Sequence, residues 1–210
     1  MERKKFESKK LAGEYLDYLY SRPETDEKLP LVFYIHGAGS RGNELSLLEE
    51  NSGLNEIIKH VGSKCVIAAP QCHGTFWFDL FYVLCEFVDA QRNAENVDIN
   101  RVYIIGSSMG GYTTWQLCLS HPDWFTAAVP ICGGGMYWSA ARLKSLPIWA
   151  FHGALDNTVL PGETVNMVRA INRNGGNAKI TIFPHADHNA WVPALSMDET
   201  WEWLLSQHKE

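Results

Sequence analysis

The stretch Val102-Tyr103-Ile104-Ile105-Gly106-Ser107-Ser108-Met109-Gly110-Gly111-Tyr112 governs how the rest of this chain is read. Its first four residues are apolar and rich in β-branching, which suits a strand covered on both faces. From Met109 to Ser120 the pattern predicts a helix, stopping before His121-Pro122 because the residue ahead of a proline avoids the helical region. Between the two, Gly106-Ser107-Ser108-Met109-Gly110 matches G-x-S-x-G. In a nucleophile elbow the serine occupies a strained strand-to-helix turn, and the glycines let backbone segments approach without a Cβ in the way. Only three of those five positions are fixed, so the pattern alone reads equally well as a glycine-rich turn that happens to contain a serine.

Working outward, similar apolar runs recur at Leu31–Ile35, Cys65–Ala69, Ala127–Ile131, Ile148–Phe151 and Ile180–Phe183. Helical spacing fills the intervals. Leu80, Leu84 and Val88 repeat every four residues, Thr164, Met167, Val168 and Ile171 precede Gly175-Gly176, and Met197, Trp201, Leu204 and Leu205 share one face. Glu44–Lys59 predicts one further helix, and Tyr15–Tyr20 one or two antiparallel edge strands. Alternating strands and helices specify an α/β fold, a three-layer α/β/α sandwich with a mostly parallel central sheet and right-handed crossovers. The 16 residues 132–147 are too few for a large cap domain. We expect a single domain over 1–210, with residues 1–10, half of them Lys or Arg, as a flexible basic tail.

Composition narrows the partners. Eighteen Lys and Arg against 24 Asp and Glu give a net charge of −6, which works against nucleic acid or an anionic membrane surface. No run approaches the roughly 20 apolar residues of a membrane span, and the basic N-terminus lacks the apolar stretch of a signal peptide. Five cysteines without C-x-x-C spacing fit free thiols in a reducing compartment, so a cytoplasmic location is expected.

Two downstream segments give Ser108 partners. Ile148–Phe151 runs into His152-Gly153-Ala154-Leu155-Asp156, and Ile180–Phe183 into Pro184-His185-Ala186-Asp187-His188. The order Ser108, Asp156, His188 is that of α/β-hydrolases rather than of chymotrypsin or subtilisin. All three follow the carboxyl ends of strands, where ligands bind in open α/β sheets. His185 is the alternative base. The loop His36-Gly37-Ala38-Gly39-Ser40-Arg41-Gly42 after Leu31–Ile35 can contribute an oxyanion amide at Ala38, beside that of Met109.

Gly37, Gly39 and Gly42 also spell G-x-G-x-x-G, but the next strand ends in Ala69-Pro70-Gln71 instead of the acid that would hold a ribose. A phosphate loop would need Lys where Asn43 stands. Neither nucleotide nor any other cofactor is expected. His185, His188 and His152 could offer metal ligands, but without H-E-x-x-H or Cys/His spacing no metal is expected. Trp77 and Trp191 are the candidate pocket aromatics, with Tyr112, Met136, Tyr137 and Trp138 near the same edge.

With Phe33–Gly39, Ala68–Gln71, Arg101–Tyr112, Val129–Gly134, Trp149–Asp156 and His188–Trp191 taken together, the chain resembles the α/β-hydrolase superfamily. Within it the likeness is to small capless esterases of the phospholipase/carboxylesterase and feruloyl-esterase-like, prolyl-oligopeptidase-related group. That resemblance implies Ser108 as nucleophile, His188 as base, Asp156 as its orienting acid, and the Ala38 and Met109 amides as the oxyanion hole. It implies a serine esterase for short-acyl or arylacyl small-molecule esters. Peptidase, acyltransferase and catalytically silent binding roles stand as alternatives, because one fold hosts many chemistries.

Overall fold

The computed structural model describes residues 1–209. An antiparallel pair, β1 (Glu2–Glu7) and β2 (Tyr15–Ser21), opens the chain. β3 (Leu29–Ile35), β4 (Val66–Pro70), β5 (Val97–Ser107), β6 (Ala127–Ile131), β7 (Trp149–Gly153) and β8 (Lys179–Phe183) follow. They form one eight-stranded sheet in the order β1-β2-β4-β3-β5-β6-β7-β8, parallel from β4 to β8. Among the described strands β2 runs against it, antiparallel to both β1 and β4, so that β1 points the same way as the parallel strands.

Among the described residues, α1 (Ser46–Glu49), α2 (Ser52–Val61), α3 (Phe81–Arg92), α4 (Met109–Ser120) and α5 (Gly162–Arg173) connect strands, and α6 (Trp191–Ser196) and α7 (Asp198–Ser206) follow β8. The sheet divides the core in two. Leu31, Phe33 and Ile35 of β3, with Val102 and Ile104 of β5, pack against α3, α4 and α5. Val32, Tyr34, Tyr103 and Ile105 point the other way, onto α2, α6 and α7. Strands buried on both faces have no polar side to alternate with, which is why they read as unbroken apolar runs.

Two expectations are corrected. The basic N-terminus is an edge strand, paired from Glu2 with Tyr20 to Glu7 with Tyr15. Phe6 anchors it edge-on against Phe87 at 5.6 Å, while Lys4 and Lys5 lie over the rings of Tyr20 and Tyr15. Lysines are common on such edges because they discourage further strand pairing. The single helix expected over Glu44–Lys59 is broken at Asn51. Its side-chain oxygen accepts from the Leu54 amide and restarts the chain as α2, and the same oxygen accepts from the Tyr34 hydroxyl at 2.8 Å.

The span 132–147 holds a short 3₁₀ turn, Tyr137–Leu143, and no cap domain. None of the described helices is long and apolar enough to cross a membrane.

Candidate active site

Ser108 stands between the last residue of β5 and the first of α4, with φ 57° and ψ −121°. A non-glycine residue there costs on the order of 1–3 kcal/mol and persists only where the surroundings enforce it. Here the Ser108 amide donates to the Ile131 carbonyl at the tip of β6, and its carbonyl accepts from Tyr112 one turn into α4. Gly110 makes the tight turn possible: a Cβ there would come within 1.8 Å of the Ile35 carbonyl oxygen.

The Ser108 hydroxyl lies 2.7 Å from His188 Nε2, and His188 Nδ1 lies 2.7 Å from Asp156 Oδ2. His188 thus donates from Nδ1 to the carboxylate and accepts at Nε2 from the serine. Gly153 brings the Asp156 and His188 loops together, since a Cβ there would meet the Asp187 carbonyl oxygen at 2.1 Å. Asp156 is buried, and its Oδ1 accepts from the Thr158 and Val159 amides at 2.9 Å each. Burial pushes its pKa up. The bonds from His188, Val159 and Thr158 outweigh that and hold the carboxyl below its ordinary value. His185 is exposed and lines a cavity with Phe183 and Val192, outside this relay.

Ala38 opens the 3₁₀ turn Ala38–Ser40, and Met109 opens α4, positions whose amides have no acceptor within their own helix. Gly37, one residue from Ala38, lies against Ser108; a Cβ on it would stand 3.2 Å from that of the serine. The loop carrying Ala38 is pinned from β4's end. Gln71 donates to the Ser40 and Glu44 carbonyls, and the Cys72 amide donates to His36 Nε2 at 3.0 Å. His36 Nδ1 therefore carries the proton and donates to the Gly37 carbonyl at 2.6 Å.

Trp77 is a correction. It is fully buried and donates from Nε1 to the His36 carbonyl at 3.0 Å, so it braces the loop and lines no pocket. A tryptophan has one polar atom on a large apolar body, and here that atom found a backbone acceptor. Trp191 is half-buried, its ring edge-on to His188 at 5.8 Å. Tyr112, Met136, Tyr137 and Trp138, with Phe78 and Glu163, border a cavity of about 400 Å³ whose Tyr112 wall begins one turn from Ser108.

Burial drives the pKa of His36 down to about 4. Its imidazole takes up a proton near pH 6.5 in the unfolded chain but resists until about pH 4 when folded. Stability from this residue is complete above pH 6.5 and lost on acidification toward pH 4, about 3 kcal/mol in all. In urea melts from pH 7 to 4, His36→Gln should flatten the slope by that amount; an unchanged slope would refute the assignment.

The dienelactone hydrolase family matches residues 83–196, more than half of the chain and the segment that carries Ser108, Asp156 and His188. The chain belongs to that family. It is 29% identical to the esterase-designated NocK of Nocardia uniformis subsp. tsuyamanensis over 125 residues, 53% of this chain and 35% of NocK. Among solved structures, a thermostable esterase is 29% identical, with a TM-score of 0.85 over 99% of this chain and 63% of its own. Est1E from Butyrivibrio proteoclasticus shares the fold at a TM-score of 0.76 and 15% identity, with 98% of each chain covered. This dienelactone hydrolase family member thus spans about a third of NocK's length and less than two thirds of the thermostable esterase.

Proposed function

We propose that the chain is a serine carboxylic-ester hydrolase, working as a single domain through an acyl-enzyme. The carrying observation is the unbroken relay from the strained Ser108 through His188 to Asp156, 2.7 Å at each step. His188 takes the Ser108 proton as the oxygen attacks the ester carbonyl, and the Ala38 and Met109 amides hold the oxyanion. His188 returns that proton to the leaving alcohol; water then attacks the acyl-serine by the same route, releasing the acid. Asp156 keeps the imidazole in the required tautomer and faces the imidazolium that forms.

Short-acyl or arylacyl esters of feruloyl type suit the cavity beside Tyr112, whose rim carries Phe78, Tyr137 and Trp138, exposed by 50% or more. A larger cavity of about 550 Å³ lies between α3 and the loop after α4, against Tyr82 and Trp124, and includes none of the relay. Membership of the dienelactone hydrolase family and the likeness to NocK favour an ester over a peptide bond. The five free cysteines support a cytoplasmic location.

A p-nitrophenyl ester series from acetate to decanoate, a feruloyl ester and a p-nitroanilide, each with and without an alcohol acceptor, tests this. Turnover of the short and aryl esters, with little for decanoate or the anilide, is expected. Preference for the anilide would make the chain a peptidase; ester product formed from the added alcohol in place of acid would make it an acyltransferase.

A further inference from the structure

His152, at the end of β7, is fully buried and has no part in the relay just described. Its Nε2 lies 2.9 Å from the Val159 carbonyl oxygen and 3.3 Å from Asp156 Oδ2. Its Nδ1 lies 2.7 Å from the Thr164 hydroxyl, which is itself 2.6 Å from the Gly133 carbonyl oxygen. Protons can be counted along this line. A carbonyl only accepts, so the contact with Gly133 uses the one hydroxyl proton of Thr164. The hydroxyl must then accept from His152, which places a proton on Nδ1. The Val159 carbonyl likewise requires one on Nε2. Both ring nitrogens are donors, the state of an imidazolium.

We infer that His152 is a buried imidazolium that shares the Asp156 carboxylate with His188 and so acts as a second positioning residue of the triad. Asp156 Oδ2 faces both rings, at 2.7 Å from His188 and 3.3 Å from His152. The cation orients the carboxylate and draws on its charge, which leaves His188 less able to hold a proton in the resting enzyme. Two further titratable groups stand near Asp156: the Cys132 thiol at the tip of β6, in the same cluster and pushed up to about 12 by burial, and the Tyr112 hydroxyl, raised first by burial and then by the charges of Glu163 and Asp156, so both stay neutral. Glu163, next to Thr164 on α5, is exposed and faces Gly134 and Tyr112. Cys132, His152 and Asp156 hold their ligand atoms within 4.8 Å of one another, as a metal site would, but both nitrogens of His152 are already spent on oxygen acceptors.

Asp156 is taken here as the acid of the proposed triad, so the test separates the two ideas. In ¹⁵N-labelled protein at pH 7, nitrogen–carbon correlation spectra should give His152 two protonated ring nitrogens. One bare and one protonated nitrogen would overturn the inference, whatever the activity. In parallel, His152→Gln keeps an amide donor and removes the charge; the acidic limb of kcat/KM against pH should move upward by about one unit, the scale of one nearby charge. A merely structural role would lower kcat and leave that limb in place, which would also overturn it. A wild-type protein without esterase activity would sink the hydrolase assignment instead, and the spectra would still decide the state of His152.

Discussion

Ser108→Ala is expected to retain the fold and lose at least about 10⁴-fold in kcat on p-nitrophenyl acetate. Nucleophile and base act as one unit, so removing either forfeits most of the covalent route and leaves only what binding and oxyanion contacts supply. Alanine keeps a Cβ at φ 57°, so the strain of the elbow stays and melting should hardly change. Asp156→Asn should fall almost as far, by about 10³–10⁴-fold. An Asn oxygen can still accept from Thr158 and Val159, but its amide would then face His188 Nδ1. That drives the imidazole proton to Nε2, where it opposes the serine hydroxyl. Steady-state kinetics on both variants decide the matter. Undiminished turnover by Ser108→Ala would reassign the nucleophile.

Gly110→Ala is expected to prevent folding. Its Cβ would lie 1.8 Å from the Ile35 carbonyl oxygen, 2.5 Å from the Ile35 carbonyl carbon and 2.8 Å from the His36 carbonyl oxygen. All three are backbone atoms of β3 or the loop it feeds, and β3 is held between β4 and β5, so no side chain can swing aside. The alternative is to lift α4 off the sheet and with it the burial of Trp115, Leu117 and Cys118. A loss above about 4 kcal/mol follows, a large share of the 5–15 kcal/mol that holds a typical domain. Gly39→Ala is the control, because a Cβ there meets nothing within 4 Å. Soluble yield and thermal melts read the result: Gly39→Ala within about 0.5 kcal/mol of the parent, Gly110→Ala insoluble or melting far lower. A Gly110→Ala protein that melts with the parent would show that α4 stands off from β3.

The two variants probe features that differ in how far they could be read from the letters. The elbow is local: glycine, serine and glycine at fixed spacing between an apolar run and a helix. Met109–Ser120 accordingly begins and ends where the pattern predicts. Asp156 and His188 were legible because each lies in the loop that follows a strand, and parallel strands deliver their carboxyl ends to one edge whatever the intervening helices contain. β1 was not, since Phe6 is the single apolar residue of Glu2–Glu7 and its pairing with β2 comes from backbone groups. The break at Asn51 rests on one side-chain cap, the Asn51 oxygen accepting from the Leu54 amide, a local contact inside the stretch Glu44–Lys59.

The letters alone determined the layered α/β architecture, the chain order of Ser108, Asp156 and His188, and the loops that carry them, because burial on both faces and strand polarity are properties of short segments. Tertiary structure decided which aromatic is bracing and which is rim: Trp77 turned inward to the His36 carbonyl while Trp138 stayed 71% exposed. It also decided that His152, Thr164 and Gly133, from β7, α5 and the end of β6, form one line of hydrogen bonds behind Asp156. Such contacts depend on the directions of side chains from three distant segments, a relation that exists only once the sheet has brought those segments side by side.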